Sequence, residues 1–195
     1  MRKPVRDLKH GILPLVAIAS LTLLAACGGS SDSTTTDSVS GGPGNYGIEI
    51  SDATLSVQVP AAAADASAAA IQAYAKKLGV QDKYSFVTQA VTNNSSSKAY
   101  LCDVQVITQD GTTVKFERAF VVVGNLPDSA STTVYNQGVA LYNSLLQLPE
   151  SVLPGATGSA LYVGVGMIPT VKSVFGGLTS PSDMGKSCET ELQKQ

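Results

Sequence analysis

The sequence predicts an α+β fold: a largely antiparallel sheet of four to five strands with two helices packed on one face, in the order β-α-β-β-β-α-β. Three observations predict it. Apolar residues alternate with period two in five stretches of residues 46–195, as half-buried strands require. Two other stretches, residues 61–78 and 128–148, carry apolar residues at helical spacing. Turn residues punctuate the central strands, and Asp110-Gly111 between alternating runs is a strong hairpin signal.

Taken in order, Ile48, Ile50, Leu55, Val57 and Val59 alternate through residues 46–59, and Pro60 ends the strand. Residues 61–78 form an Ala-rich helix with Ile71, Tyr74, Ala75 and Leu78 on one face. Lys76 and Lys77 suit the dipole of its last turn, and Gly79 stops it. A competing reading makes residues 61–70 a continuation of a tether, although no Pro or Gly interrupts them. Three strands follow over residues 84–92, 98–108 and 113–123. In the middle one Tyr100, Cys102, Val104 and Val106 share a face, and Leu101, Asp103, Gln105 and Ile107 share the more polar one. This describes a meander covered on one side and partly wet on the other. Residues 128–148 make the second helix, capped by Asp128, Ser129 or Ser131. Its core stripe is Val134, Leu141, Leu145 and Leu148, with Gly138 as a point of close contact, and Pro149 and Pro154 stop it. The last strand, residues 160–168, sets Leu161, Val163, Val165 and Met167 against Tyr162, Gly164 and Gly166, where bare glycines signal a close backbone approach or a bulge. Residues 176–186 read as loop and 187–195 as a helical end.

The N-terminus is a different object. Arg2, Lys3, Arg6 and Lys9 precede an apolar run, residues 11–26, shorter than the roughly 20 residues of a membrane span. The run closes on Leu24-Ala25-Ala26-Cys27, which resembles the lipobox of bacterial lipoproteins. The resemblance implies a signal peptide over residues 1–26, cleaved before Cys27, and acylation of that cysteine. Two or three acyl chains anchor firmly, since each buried CH2 contributes about 0.8 kcal/mol. The alternative is an uncleaved N-terminal membrane helix. Gly28, where many such lipoproteins retained at the inner membrane carry Asp, implies an outer-membrane lipoprotein facing the periplasm, with surface display as another possibility. Residues 28–45 are rich in Gly, Ser and Thr and read as a flexible tether with a mean reach of about 20–25 Å. The domains expected are therefore 1–26 signal peptide, 27–45 lipidated cysteine and tether, and 46–195 a single α+β domain. Some small envelope-assembly lipoproteins have a similar order of two helices and four strands, a likeness of element order alone.

Composition excludes several functions. Cleavage before Cys27 leaves nine basic and fourteen acidic residues, a formal charge of −5, which argues against nucleic acid and against anionic lipid as electrostatic partners. The single histidine, His10, departs with the signal. No Ser-His-Asp or Cys-His machinery and no His-ligated zinc, haem or copper site can then be built within the chain. No calcium-loop, nucleophile-elbow or phosphate-loop string is present. Ser95-Ser96-Ser97-Lys98 matches the S-x-x-K pattern of penicillin-recognising enzymes, but it sits in a polar Asn-Ser turn without that family's further motifs. No catalytic, cofactor or metal residue is assigned.

With Cys27 acylated, Cys102 and Cys188 remain as an even pair in an oxidising compartment. We expect a disulfide that ties the C-terminal tail to the middle strand. The alternatives are a buried thiol at Cys102 or, lacking C-x-x-C, a redox role.

The function expected is a non-catalytic interaction or assembly module of the cell envelope, held to the membrane through the acyl chains on Cys27 and working with an envelope protein partner. The second is a carrier of a lipid or other apolar ligand between helices and sheet. The third is an enzyme running on Asp, Glu, Lys, Tyr or Ser alone, for which no constellation appears. Asp103, Glu117 and Arg118 read as solvent-facing strand positions.

Overall fold

Residues 46–59, for which the alternation predicts one strand, make most of a hairpin. Strand β1 (Gly44–Ile50) turns near Asp52, whose φ is +64°, into β2 (Ala53–Val59), with seven residues in register from Gly44 opposite Val59 to Ile50 opposite Ala53. A left-handed residue reverses the chain without interrupting the alternation, so the pattern alone does not reveal the turn. The computed structural model describes residues 42–50, 52–62, 65–168, 170–179 and 188–195, all within one compact unit of the chain. The lipobox, Cys27 and most of the expected tether lie outside the described residues.

After β2 come α1 (Ala66–Lys77), β3 (Tyr84–Asn93), β4 (Ala99–Leu101), β5 (Val104–Thr108) and β6 (Thr113–Arg118). Then follow α2 (Ala119–Gly124), α3 (Thr132–Leu145), β7 (Ser151–Val152), β8 (Ala156–Val165), β9 (Val171–Gly176), β10 (Leu178–Thr179) and β11 (Thr190–Lys194). Eight strands close into an antiparallel barrel in the spatial order β1-β2-β3-β8-β6-β5-β9-β11, with β11 returning to β1; β10, β4 and β7 form a small separate sheet. The expected α+β layout, an open sheet with two helices on one face, is therefore wrong. The likeness of element order to two-helix, four-strand lipoproteins falls with it.

Each correction has a local cause. The run 113–123 is not one strand. Its apolar second half leaves the barrel as helix α2, in which Ala119 and Val123, four apart, are buried against Leu161 and Val163 of β8. Tertiary packing overrides the strand preference of Val121-Val122-Val123. The run 98–108 divides between two sheets, β4 in the small one and β5 in the barrel, separated by Cys102 and Asp103. The expected loop holds β10. The expected helical end is β11, which pairs Thr190–Leu192 with β9 and Gln193–Lys194 with β1.

The barrel interior is a packed core. Leu55, Val57, Val87, Val104, Val106, Phe116, Tyr162 and Val174 point inward and are almost completely buried. Eight strands enclose a space just wide enough for such side chains. A second core lies outside the wall, where Phe86 of β3 and Leu161 and Val163 of β8 face outward against Ile71, Ala119, Val123 and Leu145 of the helices. Residues 160–163 are thus buried on both sides, which explains an apolar run there. Gly138 of α3 admits Tyr74 of α1; a Cβ at that position would stand 2.1 Å from the Tyr74 hydroxyl.

Candidate functional site

A groove runs between α1 and the barrel wall. It begins at Pro60, after which the Ala61 amide donates to the Phe86 carbonyl at 2.7 Å and fastens the chain to β3. The Asp65 carboxylate then accepts from the Ala68 amide at 2.9 Å, capping α1. Ile71 faces the second core, while Ala68, Ala69 and Gln72 line the groove. Small side chains on that face leave room above the sheet. The far wall is the end of β8 and the residues after it. There the Ser85 hydroxyl donates to the Gly166 carbonyl at 2.5 Å, the Gly166 amide donates to the Lys83 carbonyl at 2.8 Å, and Gly166 has φ +118°. This turn carries Met167 to the rim.

The first part of the groove encloses about 350 Å³ between Ala62, Asp65, Ala68, Ala69, Phe86, Met167 and Ile168. A second part, about 460 Å³, continues past Gln72, Tyr84 and Met167 to Lys76, Asp82 and Lys83. Val165 and Met167 are each 62 % exposed. The Tyr84 phenol lines both parts, and its pKa is raised, first by burial and then by the Asp82 carboxylate. It stays protonated and neutral at physiological pH. The arrangement is an open trough, part apolar and part polar, with a neutral hydroxyl inside and charges at its two ends, a shape that can accommodate an extended segment.

Sequence reasoning missed the rim. It placed Val165 and Met167 on one face with Leu161 and Val163; the period holds through Val165, where β8 ends, Met167 follows the Gly166 turn instead, and the helices cover only Leu161 and Val163. No local signal marks where the cover ends.

The other residues singled out from sequence are widely placed. Cys102 and Cys188 form the expected disulfide, with Cα atoms 5.3 Å apart. Asp103 and Glu117 are exposed, but Arg118 is not a solvent-facing position. It sits opposite Tyr162 in the ladder, and its guanidinium donates to the Leu101 carbonyl at 2.9 Å and the Glu150 carbonyl at 3.1 Å. It ties the small sheet to the barrel. Ser95 serves its turn: its hydroxyl donates to Asn93 Oδ1 at 2.6 Å and its amide to the same oxygen at 3.1 Å. Buried Asn93 in turn donates to the Ser97 and Val152 carbonyls, both at 2.9 Å. Lys98 lies over the Tyr100 ring at 5.1 Å. Among the described residues, no three His, Cys, Asp or Glu side chains gather into a metal-binding group.

Among the described residues, two buried polar atoms have no hydrogen-bond partner, Gln89 Oε1 and the Tyr162 hydroxyl, both inside the barrel. Burial raises the Tyr162 pKa well above the ordinary phenol range, and the nearby Arg118 charge opposes this only in part. Both side chains are wholly enclosed, so they contribute to the barrel's interior and not to a site.

These features define a class: a closed antiparallel barrel with a solid core and an external helical layer, with an open groove between helix and barrel wall. No protein-family model, no curated protein and no solved structure matches the chain.

Proposed function

We propose that this is a lipid-anchored protein of the cell envelope, held at the periplasmic face of the outer membrane through Cys27, that acts as a non-catalytic interaction module. The groove beside α1 is its docking site for a segment of a partner protein. The observation that carries the reading is the open trough with Met167 at its rim, next to exposed Val165 at the end of a barrel whose other large apolar strand residues are wholly or partly buried. The lipobox-like Leu24-Ala25-Ala26-Cys27 supports the anchor, and the absence of histidine after Cys27 supports the non-catalytic role. Native mass spectrometry of the acylated protein, gently extracted from its own membrane, tests it. A co-released protein of defined mass, lost from Met167→Asp, is the expected result. A bare acylated monomer that behaves like Met167→Asp refutes it.

One observation favours a second reading, a carrier of an apolar ligand. The groove lies between a helix and the sheet and encloses about 350 Å³, within the usual range for small-molecule sites. A stable added mass of lipid size, beyond the acyl chains on Cys27, is the outcome that selects it.

A further inference from the structure

Helix α3 carries more apolar surface than the fold covers. At about 100° per residue, its apolar residues occupy an arc of roughly 180°, against the ~100° stripe a surface helix needs. Half of that arc, with Gly138, Leu141 and Leu145, packs inward. The other half lies in solvent: Tyr135 is 48 % exposed, Val139 42 % and Leu146 42 %, spaced i, i+4 and i+11 on one line. Residues 119–148, which include α2 and α3, hold a single charge, Asp128. A helical pair with one charge and an apolar stripe is unusual for a surface bathed in water, where charged side chains normally supply solubility.

We infer that this stripe lies on a lipid bilayer, with α3 in the plane of the interface and Tyr135 at headgroup level. The inference rests on the reading that Cys27 is acylated. Cys27 and Gly42 are fifteen residues apart, a span of at most about 50 Å. The domain is then confined beside the bilayer at high effective concentration, and a weak apolar contact suffices to dock it. Tyrosine is at home in the interfacial region. No Lys or Arg lies in residues 119–148, so the contact is apolar and suits zwitterionic headgroups rather than anionic ones.

The chain contains no tryptophan, which makes the test direct. Val139→Trp places the sole tryptophan, excited selectively over the tyrosines at the red edge, on the stripe, and Ser144→Trp places it on the opposite, polar side. Each full chain is prepared acylated and as Cys27→Ser, then mixed with phosphatidylcholine vesicles with and without brominated acyl chains. In the acylated chain, Val139→Trp is expected to shift to the blue and lose most of its emission to the brominated lipid, while Ser144→Trp does neither. Cys27→Ser shows the same shift only at high lipid. Added anionic lipid leaves the signal unchanged or weakens it. Leu146→Trp repeats the measurement if Val139→Trp fails to fold.

The intact mass of the purified chain reports acylation separately. An unacylated chain whose stripe still enters vesicles at high lipid supports the inference and sinks the anchor. A blue shift without lipid that grows with protein concentration means that a second copy covers the stripe, and overturns it. Equal access to aqueous iodide with and without vesicles overturns it as well.

Discussion

A methyl group placed on Gly164 would stand 2.9 Å from Phe116 Cε1, 2.9 Å from Val114 Cγ1 and 3.1 Å from the Lys115 carbonyl. The glycine lets β6 and β8 approach inside the barrel, and backbone cannot move aside cheaply. Gly164→Ala should lower stability by about 1–3 kcal/mol in urea denaturation, with part recovered in combination with Val114→Ala. Tyr162 makes the opposite case. Its hydroxyl is buried and unpartnered, so removing it relieves a desolvation cost. Tyr162→Phe is expected to be neutral or to stabilise by up to about 1 kcal/mol. The same phenol sets an alkaline limit. Its folded pKa is raised, so below the unfolded value of about 10 it is neutral in both states and has no effect on pH dependence, and as pH rises above that value the unfolded chain ionises first and stability falls. Thermal melts between pH 8 and 11 should show a decline above pH 10 that is shallower in Tyr162→Phe; equal slopes would show that this residue is not responsible. The close-approach role of Gly164 was legible beside Tyr162 in the sequence. The inward turn of Arg118 was not, because a charge at a strand end reads as solvent-facing until the neighbouring carbonyls of Leu101 and Glu150 are placed.

Among the elements, α1 and α3 lie inside the two segments whose apolar spacing predicts helices, since an amphipathic helix writes its buried face at a period that local sequence preserves. Asp65 caps α1 at the mouth of the groove. Asp65→Ala should cost about 1 kcal/mol and speed hydrogen exchange in the first turn of α1 before it affects the barrel. Strand β11 was missed for a physical reason. It buries a single side chain, Leu192, so Thr190–Lys194 has too little alternation to reveal itself. It depends instead on neighbours distant in the chain, and on the Cys102–Cys188 bond two residues before it. The bond closes a loop with a sequence separation of 86, for which chain entropy sets a contribution of about 4–5 kcal/mol. Cys102→Ala/Cys188→Ala should lose most of that and show faster exchange in β11 than in β3 and β8, whose ladder runs for ten residue pairs. Equal exchange across all three would mean that the strand does not depend on the bond.

On the scale of the molecule, the barrel is closed by its weakest stave. β11 pairs three residues with β9 and two with β1, and both of those strands otherwise face the seam with open edges. A chain ending at residue 187 should therefore associate through exposed strand edges; size-exclusion chromatography that finds a cooperative monomer would contradict this. The sequence by itself determined most of the alternating strands, the two long helices and the lack of any histidine after Cys27; it favoured the cysteine pairing, which the structure decided. Each of these is written in neighbouring residues or in composition. Only the tertiary structure decided that the sheet closes, that Val121-Val122-Val123 coils into a helix, and that the helices stop short of Val165 and Met167. Alternation records which side chains face inward; it does not record how many strands share that interior or where the outer cover ends. Those depend on contacts between residues far apart in the chain, which leave the groove rim and the outer stripe of α3 uncovered.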